Sequence, residues 1–80
     1  MRIDKFLKVS RIIKRRTVAK EVCDGGKVKI NGRVAKAGSD VNVGDELEIQ
    51  FGEKLFRARV REVRETVPAK EADSLYDVLR

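Results

Sequence analysis

The chain has 80 residues, of which 40% are charged and 41% hydrophobic, and its formal net charge is +6. One domain with a small core fits that length, and a deep walled catalytic cavity does not. With no histidine and one cysteine, most metal sites, His-based catalysis and an internal disulfide are excluded.

In chain order, Ile3, Phe6, Leu7 and Ser10 recur at helical spacing, while Lys5 and Lys8 fall on the opposite side with Arg2 at its edge. This predicts a short amphipathic helix with a basic outer stripe. Lys14-Arg15-Arg16 follows, and Thr17 is the expected N-cap of a second helix that buries Val18, Ala19, Val22 and Cys23. Glu21 is placed near that helix's start, where the dipole favours an acid. Asp24-Gly25-Gly26 is its expected end. From Lys27 the period changes to two, with Val28 and Ile30 facing one way and Lys27 and Lys29 the other. Asn31-Gly32 predicts a tight hairpin returning through Arg33-Val34-Ala35-Lys36. A loop at Ala37-Gly38-Ser39-Asp40 and a turn at Gly44-Asp45 come next. Leu47, Ile49 and Phe51 alternate with Glu46, Glu48 and Gln50; beyond a Gly52-Glu53-Lys54 turn, Phe56, Ala58 and Val60 alternate with Arg57, Arg59 and Arg61. These two strands should pair and set a glutamate row beside an arginine row. After Pro68, the spacing of Ala72, Leu75, Tyr76 and Leu79 predicts a short C-terminal helix. The expected fold class is α+β: two N-terminal helices on a small antiparallel sheet, plus that helix.

No apolar run approaches the ~18–20 residues that cross a membrane, and Met1–Lys5 lacks a signal-peptide core. One cysteine suits a reducing compartment. A cytoplasmic chain without membrane contact, metal or cofactor is expected. Its charge is uneven: residues 1–36 carry twelve Lys/Arg against three Asp/Glu, net +9, and residues 37–80 carry seven against ten, net −3. A basic face on a mixed body points to a polyanion, whereas a merely solubilising surface mixes the signs.

Arg2-Ile3-Asp4-Lys5-Phe6-Leu7, Ser10-Arg11, Gly26-Lys27-Val28-Lys29-Ile30-Asn31-Gly32 and Val43-Gly44-Asp45-Glu46-Leu47 occur in that order. Over residues 1 to about 50, the set resembles the RNA-binding domain family named after the fourth protein of the small ribosomal subunit. The stretch Arg11 to Glu21, the Phe51-Gly52 turn and the tail through Tyr76 are similar to its stand-alone members in bacterial ribosome-associated quality control, relatives of the fifteen-kilodalton heat-shock protein. The resemblance implies that the two helices form the αL motif of that domain, spanning residues 1–66, with residues 67–80 a helical extension of it. It implies binding to an obstructed large ribosomal subunit, contact with ribosomal RNA, and stabilisation of peptidyl-tRNA in the P site. It also implies action beside the tail-adding factor RqcH while alanines are added to the stalled chain. Ala37-Gly38 departs from the family pattern, in which a proline often precedes the serine.

Physically, Lys and Arg gathered on one face neutralise phosphates without reading sequence, and A-form RNA is recognised by its shape and backbone. The candidate RNA-binding residues are Arg2, Lys5, Lys8, Arg11, Lys14, Arg15, Arg16 and Lys20, with Lys27, Lys29 and Arg33 from the hairpin. Lys5 and Lys8 also fit a plain solvated helix face. Lys14-Arg15-Arg16 does not, because cations before a helix N-terminus oppose its dipole and repel one another. The resemblance adds weight to Arg2 and Arg16. Asp4 joins the set as the group that holds Arg2 or Arg16 in a phosphate-facing orientation; the plainer alternative is a helix-start acid. Arg57, Arg59 and Arg61 are read as partners of Glu46 and Glu48, whereas Lys27 and Lys29 have no acidic partner in view. Phe6, Phe51 and Phe56 are assigned to the core, Tyr76 to packing before partner contact, and Cys23 to an inert buried position. The resulting expectation is a monomeric, non-enzymatic RNA-binding factor. Its alternatives are a general heat-shock or ribosome-assembly module, the RNA-binding fragment of an RNA-modifying enzyme, and a protein-interaction module using a Leu75–Leu79 stripe.

Overall fold

The computed structural model describes residues 1–80. The apolar spacing at the N-terminus produces α1 (Ile3–Val9), with Ile3, Phe6 and Leu7 fully buried. Backbone amides of Ser10, Arg11 and Ile13 close onto the carbonyls of Phe6, Lys8 and Leu7, and Arg11 takes the left-handed region at φ 60°. That turn stops α1 and sends the chain towards α2 (Arg16–Asp24).

α2 corrects three expectations. It begins at Arg16 rather than after a Thr17 cap; Arg15 is the cap residue in extended conformation, and no side chain caps the helix. The Arg16 side chain is held by Asp4 of α1, so a tertiary contact fixes the first turn where a local cap was expected. Glu21 is not in the first turn, which holds no acid. The buried line is narrower than predicted: Ala19 and Cys23, one turn apart, are buried, while Val18 is 41% exposed.

The sheet is antiparallel, in the order β2-β1-β3-β4-β5. Its strands are β1 (Val28–Ile30), β2 (Arg33–Val34), β3 (Glu46–Phe51), β4 (Lys54–Val60) and β5 (Tyr76–Val78). Asn31 and Gly32 both have positive φ, 51° and 83°, as a two-residue hairpin turn requires. Asn31 also ties distant turns together. Its side-chain amide donates to Asp45 Oδ1 (3.0 Å), and its Oδ1 accepts from the Glu46 amide (2.9 Å). Ala37-Gly38-Ser39 forms its loop without the family's proline: the Ser39 amide donates to the Lys36 carbonyl and Ser39 Oγ accepts from the Lys36 amide. The loop pins the N-terminus, since Ile3 and Asp4 donate to the carbonyls of Ser39 and Ala37.

The C-terminal helix is replaced by two elements. Ala69–Leu75 is a 3₁₀ segment, and Tyr76–Val78 becomes β5, paired with β4 through Val60↔Tyr76, Arg59↔Asp77 and Ala58↔Val78. Apolar residues at 72, 75, 76 and 79 suit a helix, but Tyr76-Asp77-Val78 equally suits a strand. The open edge of β4 decides between them, because its unpaired amides and carbonyls gain partners. Leu75 is fully buried and Leu79 partly buried, so no exposed Leu75–Leu79 stripe exists.

The helices cover one face of the sheet, and Ile3, Phe6, Leu7, Cys23, Val28, Leu47, Ile49 and Leu75 share one core. Phe6 belongs to it and Phe56 packs against it, but Phe51 does not. At the outer end of β3 it is 40% exposed, edge-on to Phe56 at 6.5 Å.

Two predictions follow from this packing. Leu75→Ala should destabilise the fold by about 2–5 kcal/mol in urea unfolding, as for other fully buried leucines; a loss under 1 kcal/mol would mean the C-terminal segment is not part of the core. Burial, helped by Asp4 and Asp24, pushes the Cys23 thiol from 9.0 up to about 11. The folded state thus favours the neutral thiol, and that stability is complete below pH 9 and fades as pH rises towards 11. Between pH 8 and 10.5, wild type should lose more stability than Cys23→Ala, and thiol reagents should react only after unfolding.

Candidate nucleic-acid interface

The sheet's outer face is largely self-neutralised. Arg59 meets Glu46 at 2.7 Å, Arg57 meets Glu48 at 3.6 Å, and Arg61 meets Asp77 at 3.5 Å. The predicted glutamate and arginine rows are adjacent in register, with Glu46↔Arg59 and Glu48↔Arg57. Lys29 is corrected here: it lies opposite Glu48 across the β1–β3 ladder, so it does have an acid beside it. Lys27 and Lys29 line a shallow depression with Glu48, Gln50 and Leu55, on the sheet face away from the helices. Arg33 is exposed on β2. Lys27 and Lys29 are therefore not on the same face as the helical cations, whereas Arg33, paired with Ile30 and so in line with Leu47, belongs to the sheet face that carries the core.

At the helices the geometry converges on Asp4. The position is 2% exposed. Its Oδ1 accepts from Arg2 Nε (3.2 Å), the Lys5 amide (2.7 Å) and Arg16 Nη2 (3.5 Å); its Oδ2 accepts from Arg2 Nη2 (3.2 Å). Asp4 is a first-turn acid and also the anchor of two guanidinium groups. An arginine carries five N–H donors. Arg2 uses two on Asp4 and Arg16 uses one, which leaves three and four directed elsewhere. The side chains stay 53% and 47% exposed, so those donors reach solvent. Two arginines from separate segments are thereby fixed side by side, with one net positive charge and a fork geometry that matches phosphate oxygens.

The remaining cations divide. Lys5 is ion-paired with Glu65, sixty positions away, and that partner holds the Glu65 carboxyl below its ordinary value. Lys8, Arg11 and Lys14 line a small cavity at the end of α1. Arg15 and Lys20 are exposed, Lys20 one turn beyond Arg16 along α2. Sequence reasoning missed Glu65 and the neighbouring Thr66 and Val67, which pack beside the helical cations. No local spacing signals a contact across so many residues.

Asp4→Asn keeps the shape but removes the charge that orders both arginines. Because Arg2 and Arg16 are about half exposed, solvent screens much of the loss, and the expected destabilisation is about 1–2 kcal/mol by urea unfolding. A stability equal to wild type would show that the triad does not organise the helices.

With this geometry in place, comparison with known proteins is specific. The family model of the S4 domain matches residues 1–47. The RQC P-site tRNA stabilizing factor of Halalkalibacterium halodurans is 60% identical over 98% of this chain and 89% of its own length. The protein of the same name from Bacillus subtilis is 56% identical over 100% of this chain and 93% of its own. Among solved structures, the trimeric Heat Shock Protein 15 of Vibrio cholerae matches with a TM-score of 0.90 at 30% identity, over 99% of this chain and 81% of that one. An α+β domain with these identities along nearly its whole length belongs to the S4 domain family and, within it, to the RQC P-site tRNA stabilizing factors.

Proposed function

We propose that this chain is a non-enzymatic RNA-binding factor of bacterial ribosome-associated quality control. It binds the obstructed large ribosomal subunit in the cytoplasm, contacts ribosomal RNA, and stabilises peptidyl-tRNA in the P site during RqcH-dependent alanine tailing. One copy acts per subunit, with no metal or cofactor. The observation that carries this reading is the Arg2–Asp4–Arg16 cluster, a pre-ordered pair of guanidinium forks on the half of the chain with net +9. Pre-ordering matters because immobilising a long side chain on binding costs ~0.5–1.5 kcal/mol, and Asp4 removes much of that cost beforehand. The names and high identities of the relatives support the ribosomal setting. The likeness to Heat Shock Protein 15 favours one second reading, a general ribosome-binding module without a tRNA requirement.

Co-sedimentation with purified large subunits, with and without peptidyl-tRNA, tests both. Binding should require peptidyl-tRNA and weaken about tenfold or more in Arg16→Ala, the scale of a lost charge-assisted contact. Equal binding to empty subunits, unchanged in the variant, would sink the quality-control reading and leave the general module. Five to seven phosphate contacts should also give a salt dependence of log affinity with a slope of about −4 to −6. Arg57→Glu with Arg59→Glu should weaken binding far less than Arg15→Glu with Arg16→Glu. Equal losses would place the interface on the sheet.

A further inference from the structure

Three of the twelve Lys and Arg side chains in residues 1–36 form ion pairs, and two acids receive them. The two acids are placed in opposite ways. The Asp4 side chain is 3% exposed and its arginines 53% and 47%, so those pairs present cations to solvent. The Glu65 side chain is 76% exposed and that of Lys5 only 34%, so this pair presents the carboxylate. The hydrogen bond from Lys5 and its charge, with the N-terminal ammonium adding to them, hold the Glu65 carboxyl below its ordinary value. Glu65 therefore carries a full negative charge at neutral pH, on the outside of the helix that opens the basic half of the chain.

The segment that carries Glu65 is fixed. Beyond β4, the amides of Arg61 and Glu62 donate to the Leu75 carbonyl, and Val63 and Val67 pack against the core. Between those two anchors Glu65 is held at Lys5, while Thr66 and Val67 border the hollow that Lys8 and Val9 line one turn further along α1. The segment thus runs along one flank of α1. Exposed ion pairs contribute little stability, and the two valines already secure the segment. Folding does not account for an acid at this place.

We propose that Glu65 is a selectivity residue: it closes the Lys5 flank of α1 to phosphate and confines bound RNA to the side of Arg2 and Arg16. A phosphate that reaches Lys5 must displace the carboxylate and then lie beside it, like charge against like charge. RNA held by charge alone loses a contact there, because backbone phosphates pair with any free cation. RNA whose backbone already follows the two ordered guanidinium forks loses nothing. Specificity is a difference of affinities, and a repulsive element widens it without adding a contact to the correct partner. Lys5 is thereby withdrawn from the contact set expected from sequence. This role rests on the RNA-binding reading above.

The test measures binding of the full chain to two probes: an A-form RNA duplex of unrelated sequence, and large subunits carrying peptidyl-tRNA. Glu65→Gln should tighten duplex binding about fivefold or more at low salt, the scale of a gained charge-assisted contact. It should also steepen the salt slope on the duplex by about 0.7–0.9, one phosphate. Affinity for the subunits should change by less than about twofold, because a partner that fits already avoids this flank. The melting temperature should stay close to that of wild type, since the pair is exposed. Adding Lys5→Gln should abolish the gain. Glu53→Gln, which removes the same charge at the exposed β3–β4 turn, should leave both affinities as in wild type. Equal gains on both probes would reduce Glu65 to bulk charge and overturn the selectivity role. A loss on both would overturn it too, and would make Glu65 an aid to contact, as Asp4 is. So would an unchanged duplex affinity. Wild type that binds neither probe would overturn the RNA-binding reading itself, and the role of Glu65 with it.

Discussion

A carboxylate removed from water costs several kcal/mol unless charges and hydrogen bonds replace its hydration. Asp4, 2% exposed, meets that constraint with donors from three places: Arg2 before α1, the Lys5 amide within it, and Arg16 at the start of α2. Its own amide donates to the carbonyl of Ala37, and the amide of Ala37 donates to Asp24 at the end of α2. One buried charge thus ties the N-terminus, both helices and the loop before β3 into one arrangement. Moving either helix would strand the carboxylate without partners. The same contacts that stabilise Asp4 fix where two guanidinium groups point, so stability and the proposed binding surface share one set of atoms.

The sheet contributes by withdrawing charge from competition. On its outer face, Arg57 and Arg59 of β4 lie against glutamates of β3, and Arg61, just past β4, lies against an aspartate of β5. Exposed pairs of this kind add little stability, with a median of ~0–1 kcal/mol. Their effect on the surface field is larger, because they cancel charge on one side and leave the unbalanced positive charge on the helices. Basic surface is therefore concentrated where the arginines are already ordered.

The sequence signature of the family has a structural meaning distinct from binding. Asn31 and Asp45, fourteen residues apart, are hydrogen-bonded through their side chains, and Asp45 also accepts from the Asn42 amide. Asn-Gly and Gly-Asp are two halves of one clamp that joins the β1–β2 turn to the approach to β3. These motifs identify the fold because the fold needs them. The Arg-rich stretch near residue 16 and the Arg2-Ile3-Asp4 opening supply the ordered pair of guanidinium groups on which the proposed RNA contact rests.

Local pattern determined most of the elements: apolar residues at helical spacing in α1, period two in β1, β3 and β4, and positive-φ residues at Asn31, Gly32 and Gly52. It also determined the basic half of the chain and the pairing of Glu46 and Glu48 with Arg59 and Arg57, since both follow from composition and register. Tertiary structure decided what local pattern leaves degenerate. Tyr76 to Val78 satisfy helix and strand periodicity alike, and the free edge of β4 selects the strand. Thr17 is a better cap than Arg15 by propensity, yet the Asp4–Arg16 contact starts α2 two residues earlier. Which cations remain unpaired is likewise a non-local matter. Lys5 is neutralised by Glu65 and Lys29 lies opposite Glu48, partners set by chain crossings that no spacing along the sequence records.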